Sequence, residues 1–418
     1  MTGKVPEFIS SYAELVAPCT ESPIIYHDWA ILTNIGAMLS RNVWLEFGVD
    51  QIYPNLYTVL LGPAAGRKSS AISFARKFLE LTGFKQFAKD KSSKEKFLSD
   101  LARGFGTKQV VGNTEVEALL AAGEDELDLS SPASNVLISA GELLDFLGPG
   151  DLQFITLLTN LWDNLPKYEQ PKLTGQDVKI IKPTVSLLGG ATSTSFASTF
   201  PPEIIGGGMM SRMIIVKGDG RRQALTIPPP PSPDLMAILV ELFIEMRKLK
   251  GPVTYSPEAF ELVDQIYKAE HPLSSTRFET FVGRRHMQLH KLCIILACTE
   301  LSSVITSDMV LYANTLLHDV ELNMQSAMGE FGLSEVNNKA NSILRILEVV
   351  PSDLVKLWHS LAGDFKSKSE FQELLFKLKS SGRIDVAPTT GKWYVIPPQP
   401  NPTFPHYNPK LLDYRGTK

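Results

Sequence analysis

A chain of 418 residues, 44% hydrophobic and 21% charged, can bury sizeable cores in roughly two or three domains and is too apolar for a disordered protein. Its net charge of −4 excludes a global basic field, so any nucleic-acid binding must come from local patches. The scattered Cys19, Cys293 and Cys298 exclude a disulfide framework and a zinc spacing, and read as buried thiols of a reducing compartment. The opening MTGKVPEFISSYAELV has no apolar h-region and no run is long enough to span a bilayer, so no membrane contact and a cytoplasmic location are expected.

Residues 1–50 read as a helical collar. FISSYAELV and IIYHDWAILTNIGAMLS carry apolar residues at helical spacing, VWLEFG reads as a strand, and Trp29 and Trp44 read as core. Residues 51–227 form the predicted α/β core. The apolar run Tyr57–Leu61 delivers a turn at Gly62-Pro63, followed by Ala64, Ala65, Gly66 and Arg67, and then Lys68-Ser69-Ser70 opens a helix. Strand, small-residue loop and helix N-terminus are the layout of a phosphate-binding P-loop. Loop amides converge on an anion, a lysine reaches the β- and γ-phosphates of ATP, and a hydroxyl reaches Mg²⁺. Arg67 occupies the position of the second glycine of G-x-x-x-x-G-K-[ST]; if that position needs a positive φ, arginine there is strained. The competing reading is an ordinary strand–turn–helix.

Further along, Lys85–Lys96 reads as a solvated charged stretch, and Gly112–Ser134 as a helix and an acidic loop. Val136–Ser139 is a short buried strand with Glu142 just beyond its end, placed to act on the attacking water and to help hold Mg²⁺; Asp145 stands one helical turn on. After a helix at Leu152–Trp162, Tyr168–Leu173 and Val178–Ile181 read as a hairpin carrying Lys167, Lys172, Lys179 and Lys182. These lysines either solvate a surface hairpin or grip a DNA backbone in a channel. Strand Val185–Leu188 leads to Thr192 and Ser193, expected between the two nucleotide-site strands, where Thr192 senses the γ-phosphate or orients water. Ser211-Arg212 precedes the strand Met213–Val216, which suits Arg212 to reach a neighbouring subunit's ATP, with Arg221 and Arg222 as second candidates.

Pro228–Pro231 marks the expected end of the core. Residues 234–330 read as a helical lid of four helices, Asp234–Leu249, Pro257–Glu270, Thr276–Leu301 and Ser307–Met328, with Arg285 or Arg284 offering a cation to the γ-phosphate. His286 and His290 lack the partners of a metal site. Residues 337–396 have the order of a winged helix, with Lys366, Lys368, Lys377, Lys379, Arg383 and Lys392 around its third helix and wing, a module that either binds DNA or docks proteins. Residues 397–418 read as an extended tail.

This order of parts resembles a family of P-loop ATPases encoded by phages, plasmids and other mobile elements, often fused to a primase and regarded as replicative helicases. The likeness covers most of Thr20–Leu301 and rests on ESPIIYHDWAILTNIGAML, YPNLYTVLLGPAAGRKS, LISAGELLDFL, PTVSLLGGATS and GGGMMSRMIIV. In that family a GPxxGxKS loop looks acceptable. The Ser-Arg pair also resembles the arginine-finger element of minichromosome-maintenance helicases and clamp loaders. The hairpin resembles the pre-sensor hairpin of AAA+ and superfamily 3 helicases. The resemblance implies an AAA+-like ATP hydrolase that assembles as a hexameric ring on single-stranded and forked DNA, alongside a primase or polymerase. It places Lys68, Ser69, Glu142 and Thr192 in the cis half of the ATP site and Arg212 in the trans half. The chain departs from the pattern at Gly141, which stands where an aspartate commonly precedes the glutamate. Two other readings stay open: a replication initiator or helicase loader that binds DNA without unwinding it, and a non-hydrolysing DNA-binding scaffold or regulator.

Overall fold

A computed structural model describes residues 3–104, 133–170, 178–200, 208–218, 220–269, 279–328, 335–380, 384–396 and 404–416. The chain forms two compact units: Met1–Ala327 together with Phe404–Lys418, and Met328–Thr403. The stretches read from sequence as collar, core and lid therefore belong to one unit, and the proline run at Pro228–Pro231 lies within it.

The first unit opens with α1 (Glu7–Val16) and α2 (Ile24–Leu39), then β1 (Val43–Phe47), β2 (Asp50–Ile52) and β3 (Tyr57–Leu61). α3 (Lys68–Leu81) and α4 (Lys94–Arg103) follow, and the chain is described again at β4 (Asn135–Ala140), α5 (Leu143–Leu147) and α6 (Leu152–Trp162). β5 (Lys167–Gln170), β6 (Val178–Ile181), β7 (Thr184–Ala191), α7 (Ser193–Thr199), α8 (Gly208–Arg212) and β8 (Met213–Lys217) complete the α/β part. Beyond the proline run come α9 (Pro233–Lys248), β9 (Gly251–Tyr255), α10 (Pro257–Lys268), α11 (Glu279–Thr299), β10 (Val304–Ile305) and α12 (Ser307–Met328).

The central sheet is parallel, in the order β4-β7-β3-β8. β3 is buried along its whole length, as is β7, which fits the continuous apolar runs of strands covered on both faces. Leu61 pairs with Ala191 and Lys217, so the C-terminal ends of β3, β7 and β8 lie level. Every residue of α2 is buried, as an all-round apolar helix requires. Its polar groups are used internally: Thr33 Oγ1 lies 2.7 Å from Thr58 Oγ1, and Asn34 Nδ2 donates to Ala75 O at 2.8 Å. Gly36 lets α2 approach the chain before β3, where a Cβ would meet Pro54 O at 2.2 Å.

The second sheet corrects the reading of 234–330 as purely helical. The four expected helices are present, but β9 and β10 run between them, and the sheet order β10-β9-β1-β2 joins them to the N-terminal hairpin. Short strands such as GPVTY give too few alternations to stand out between strong helical patterns. The tail is also corrected. Pro409–Arg415 is a 3-10 helix, and Phe404, Leu411, Leu412 and Arg415 are buried. Arg415 Nε lies 2.7 Å from the Asp28 carboxylate and Nη1 lies 3.0 Å from that of Asp319.

The second unit holds α13 (Glu335–Val349), α14 (Leu354–Leu361), α15 (Lys368–Ser380) and the antiparallel ribbon of β11 (Ile384–Val386) and β12 (Trp393–Val395). Ile343, Leu347, Leu357, Phe371, Leu375 and Ile384 form its own core. Lys368 and Lys377 are exposed on α15, while Lys379 pairs with Asp385 at 3.1 Å. Arg383 lies outside the described residues.

Candidate functional site

In a parallel sheet the crevice beyond the carboxyl ends of the strands is where ligands bind, and Lys68, Ser69, Glu142 and Thr192 of the first unit gather there. β3 runs into Gly62–Arg67 and then into the first turn of α3. The loop closes on itself through the Gly66 amide, which donates to Pro63 O at 3.1 Å, and it turns through left-handed backbone at Ala65 and Arg67. Pro63, Ala64, Ala65, Ser69 and Ser70 are exposed. Lys68 is 4% exposed, and its Nζ donates to Gly62 O at 3.0 Å and Pro63 O at 2.7 Å. Burial pushes its ammonium below the usual lysine range, and the charge of nearby Glu142 works in the opposite direction.

β7 lies between β3 and β4, so the strand read as carrying a polar tip does stand between the loop strand and the glutamate strand. The turn after β4 abuts the loop helix, with Ser69 Oγ donating to Gly141 O at 3.4 Å. Glu142 begins α5 with an extended backbone; its side chain makes no capping bond and is exposed. The Gly189-Gly190 pair makes this proximity possible, because a Cβ on Gly190 would meet Gly141 O at 2.4 Å and one on Gly189 would meet Leu143 at 2.9 Å. Thr192 caps α7: its Oγ1 accepts from the Ser195 amide at 3.1 Å, while its own amide donates to Ser195 Oγ at 2.9 Å. The hydroxyl is held at the strand tip by a capping box and remains partly exposed.

Among the described residues no group of three or more His, Cys, Asp or Glu side chains could hold a metal ion unaided. Ser69 Oγ and the Glu142 carboxylate fit a different chemistry. Mg²⁺ is commonly held by one or two protein oxygens together with nucleotide phosphates and water. Of the two histidines of α11 read from the sequence, His290 has its Nδ1 2.7 Å from Tyr255 Oη.

Two residues that sequence reasoning missed brace the loop. Glu21, 8% exposed, lies 2.6 Å from Arg67 Nη2 and accepts from Arg67 Nε at 2.7 Å. It also accepts from the Leu225 amide at 2.8 Å and lies 3.6 Å from Arg221, tying the loop to the chain beyond β8. The Leu225 amide first, and then Arg67, hold its carboxyl below the usual range. Tyr26 Oη donates to Leu61 O at 2.7 Å and accepts from the Gly218 amide at 3.0 Å, so α2 clamps the ends of β3 and β8. Both lie in ESPIIYHDWAILTNIGAML, yet no local pattern marks either as a partner of the loop or its strand.

Arg212 is not brought to this site. It is 5% exposed, ion-paired with Asp163 of its own chain, donates to Gly208 O at 2.8 Å, and lies 5.5 Å from the centre of the Trp162 ring. Within the chain this guanidinium faces its own α6, where the sequence reading places it against a neighbouring subunit. Arg285 is likewise enclosed: its Nε donates to Glu321 at 2.6 Å and Nη2 to Asn314 Oδ1 at 2.9 Å. It holds α11 to α12. Arg284, half exposed, lies 3.4 Å from Asp163. Of the hairpin lysines, Lys167 lies 3.5 Å from Glu169, Lys179 is exposed, and the Lys182 amide donates to Pro166 O at 2.8 Å; Lys172 lies outside the described residues.

No protein-family model matches the chain, and no curated protein matches it.

Proposed function

We propose that this protein is a ring-forming ATP hydrolase that moves along single-stranded DNA and separates forked duplexes in the replication of a phage or mobile element. The observation that carries the reading is the gathering of Lys68, Ser69, Glu142 and Thr192 at the carboxyl ends of β3, β4 and β7, with β7 between the other two. In this AAA+-like arrangement Lys68 stabilises charge on the β- and γ-phosphates of ATP, and Ser69 with Glu142 holds Mg²⁺, which would supply Lewis-acid assistance when bound. Glu142 orients or activates the attacking water, and Thr192 senses the γ-phosphate. Arg221, half exposed beside Glu21 and the loop, replaces Arg212 as the candidate cation for developing negative charge. The order of helices and ribbon in the second unit supports a winged helix whose Lys368 and Lys377 contact DNA.

The enclosure of Arg212 favours a second reading, an initiator or helicase loader that switches on ATP without translocating, because its interface then lacks the expected finger. Unwinding of a forked duplex with ATP and Mg²⁺ separates the two. Strand separation by the native protein, lost in Lys68→Ala, is expected for the motor. DNA-stimulated hydrolysis without strand separation assigns the initiator or loader. Absence of hydrolysis with single-stranded DNA present rejects the ATPase reading altogether.

A further inference from the structure

At the opposite end of the central sheet, where β4 and β7 begin, lies a cavity of about 730 Å³. Arg41, Arg103, Lys179, Lys182 and Arg247 line it, and no Asp or Glu does among the described residues. Arg41, Lys179 and Arg247 form no ion pair among the described residues. Arg41 spends its donors on uncharged oxygens, Thr184 Oγ1 at 2.8 Å, Leu165 O at 2.7 Å and Pro183 O at 3.0 Å, while Arg247 donates to Thr82 O at 3.2 Å. Ser40 lines the same cavity, 6% exposed, with an Oγ that has no hydrogen-bond partner. Burial pushes the Arg41 guanidinium below its usual range, as expected for a cation with no counter-charge.

Converging cations and an unused buried hydroxyl are the composition of a phosphate site. We infer that this cavity holds the phosphodiester backbone of a single strand of nucleic acid, gripped by Lys179, Lys182, Arg103 and Arg247 and backed by Arg41 and Ser40. A volume of this size accommodates a short stretch of one strand's backbone. The inference rests on the proposed function only for the kind of polymer bound. The site is separate from the nucleotide-site strand ends, and it draws on α2, α4 and α9 as well as the hairpin.

The test is fluorescence anisotropy of a labelled oligothymidylate with the full chain, in buffer without nucleotide or Mg²⁺, across a salt series. The Lys179→Gln/Arg247→Gln double variant changes two exposed side chains and is expected to lose at least tenfold in affinity. Its slope of log affinity against log salt is expected to shrink by about 1.4, roughly 0.7 for each phosphate contact removed. The charge-preserving Lys179→Arg/Arg247→Lys variant is expected to restore most of the binding, which separates lost charge from lost fold. Unchanged affinity and slope in the double variant overturn the inference. So does displacement of the oligonucleotide by inorganic tripolyphosphate at equal phosphate concentration, which assigns the cavity to a free polyphosphate. Lys68→Ala is expected to bind the oligonucleotide like the native protein, so a failure of ATP hydrolysis and a failure of this site read out separately.

Discussion

Arg67 is where the loop departs from the glycine pattern, and its backbone shows what that departure costs. At φ +61° and ψ +22° it occupies the left-handed region, which disfavours a residue with a Cβ by about 1 kcal/mol. The Glu21 pair offsets part of this, and only part, because the guanidinium is 43% exposed and screened. Arg67→Gly and Arg67→Ala both lose the pair, but only glycine relieves the backbone. The glycine variant is therefore expected to be the more stable by roughly 1 kcal/mol, read as a higher melting temperature. Beyond β4, and given the proposed function, Glu142→Gln is expected to keep ATP binding by equilibrium titration and lose at least a hundredfold in hydrolysis rate, since the amide cannot take a proton from water. His27 sets an acid limit. Burial, with Arg222 nearby, lowers its imidazole to about 3, against 6.5 in the unfolded chain. Above pH 6.5 neither state binds the proton. Between there and about pH 3 only the unfolded chain does, so stability falls on acidification, by up to about 5 kcal/mol. Melting temperatures followed from pH 7 to pH 4 should fall less steeply in His27→Gln.

At the scale of elements, the loop strand, loop helix, glutamate strand and hairpin were legible because each has a dense local signal: a full apolar run, a Lys-Ser at a helix start, an acid at a strand tip. Arg212 shows the limit of that legibility. Ser-Arg before a strand has the same local appearance whether the side chain faces a neighbour or its own α6. What decides it is Asp163, at the C-terminal end of α6, together with the Trp162 ring, and no spacing rule links them to Arg212. Gln288 of α11 adds a bond from Nε2 to the Arg212 backbone carbonyl at 2.9 Å, so α6, α8 and α11 meet at this one residue. A finger residue and a structural residue respond oppositely to mutation. Asp163→Asn leaves Arg212 enclosed without its counter-charge and is expected to cost on the order of 3 kcal/mol in denaturant unfolding. Arg212→Ala is expected to lower the melting temperature of the isolated protein. A variant with native stability and no hydrolysis would instead return Arg212 to the interface.

At the scale of the whole molecule, what the sequence hid is the closure of the first unit. The chain leaves it at Ala327 and re-enters at Phe404, so the last residues complete a body that the first residues began. Composition favoured an extended tail because prolines and polar residues precede Phe404, and the few apolar side chains beyond it form no long periodic run. Tertiary contacts decide otherwise. Arg415, 3% exposed, lies against the fully buried Asp28 of α2 and against Asp319 of α12, and Tyr414 Oη donates to Asp28 Oδ2 at 3.1 Å. α2 also supplies Tyr26, which clamps the strand ends beneath the Gly62–Arg67 loop, so the tail braces the helix on which the loop leans. Arg415→Ala leaves the Asp28 carboxylate enclosed with only the Tyr414 hydroxyl, and removing one partner of a buried pair typically costs about 3–5 kcal/mol. Asp28, Asp319 and Arg415 all belong to the first unit, so the loss is expected there alone. Hydrogen exchange resolved by peptide should show lowered protection across α2 and β3 in Arg415→Ala, with α13 to α15 unchanged. Native protection throughout the first unit would mean that the tail adds nothing to its closure. A matching loss in the second unit would mean that the two units unfold as one.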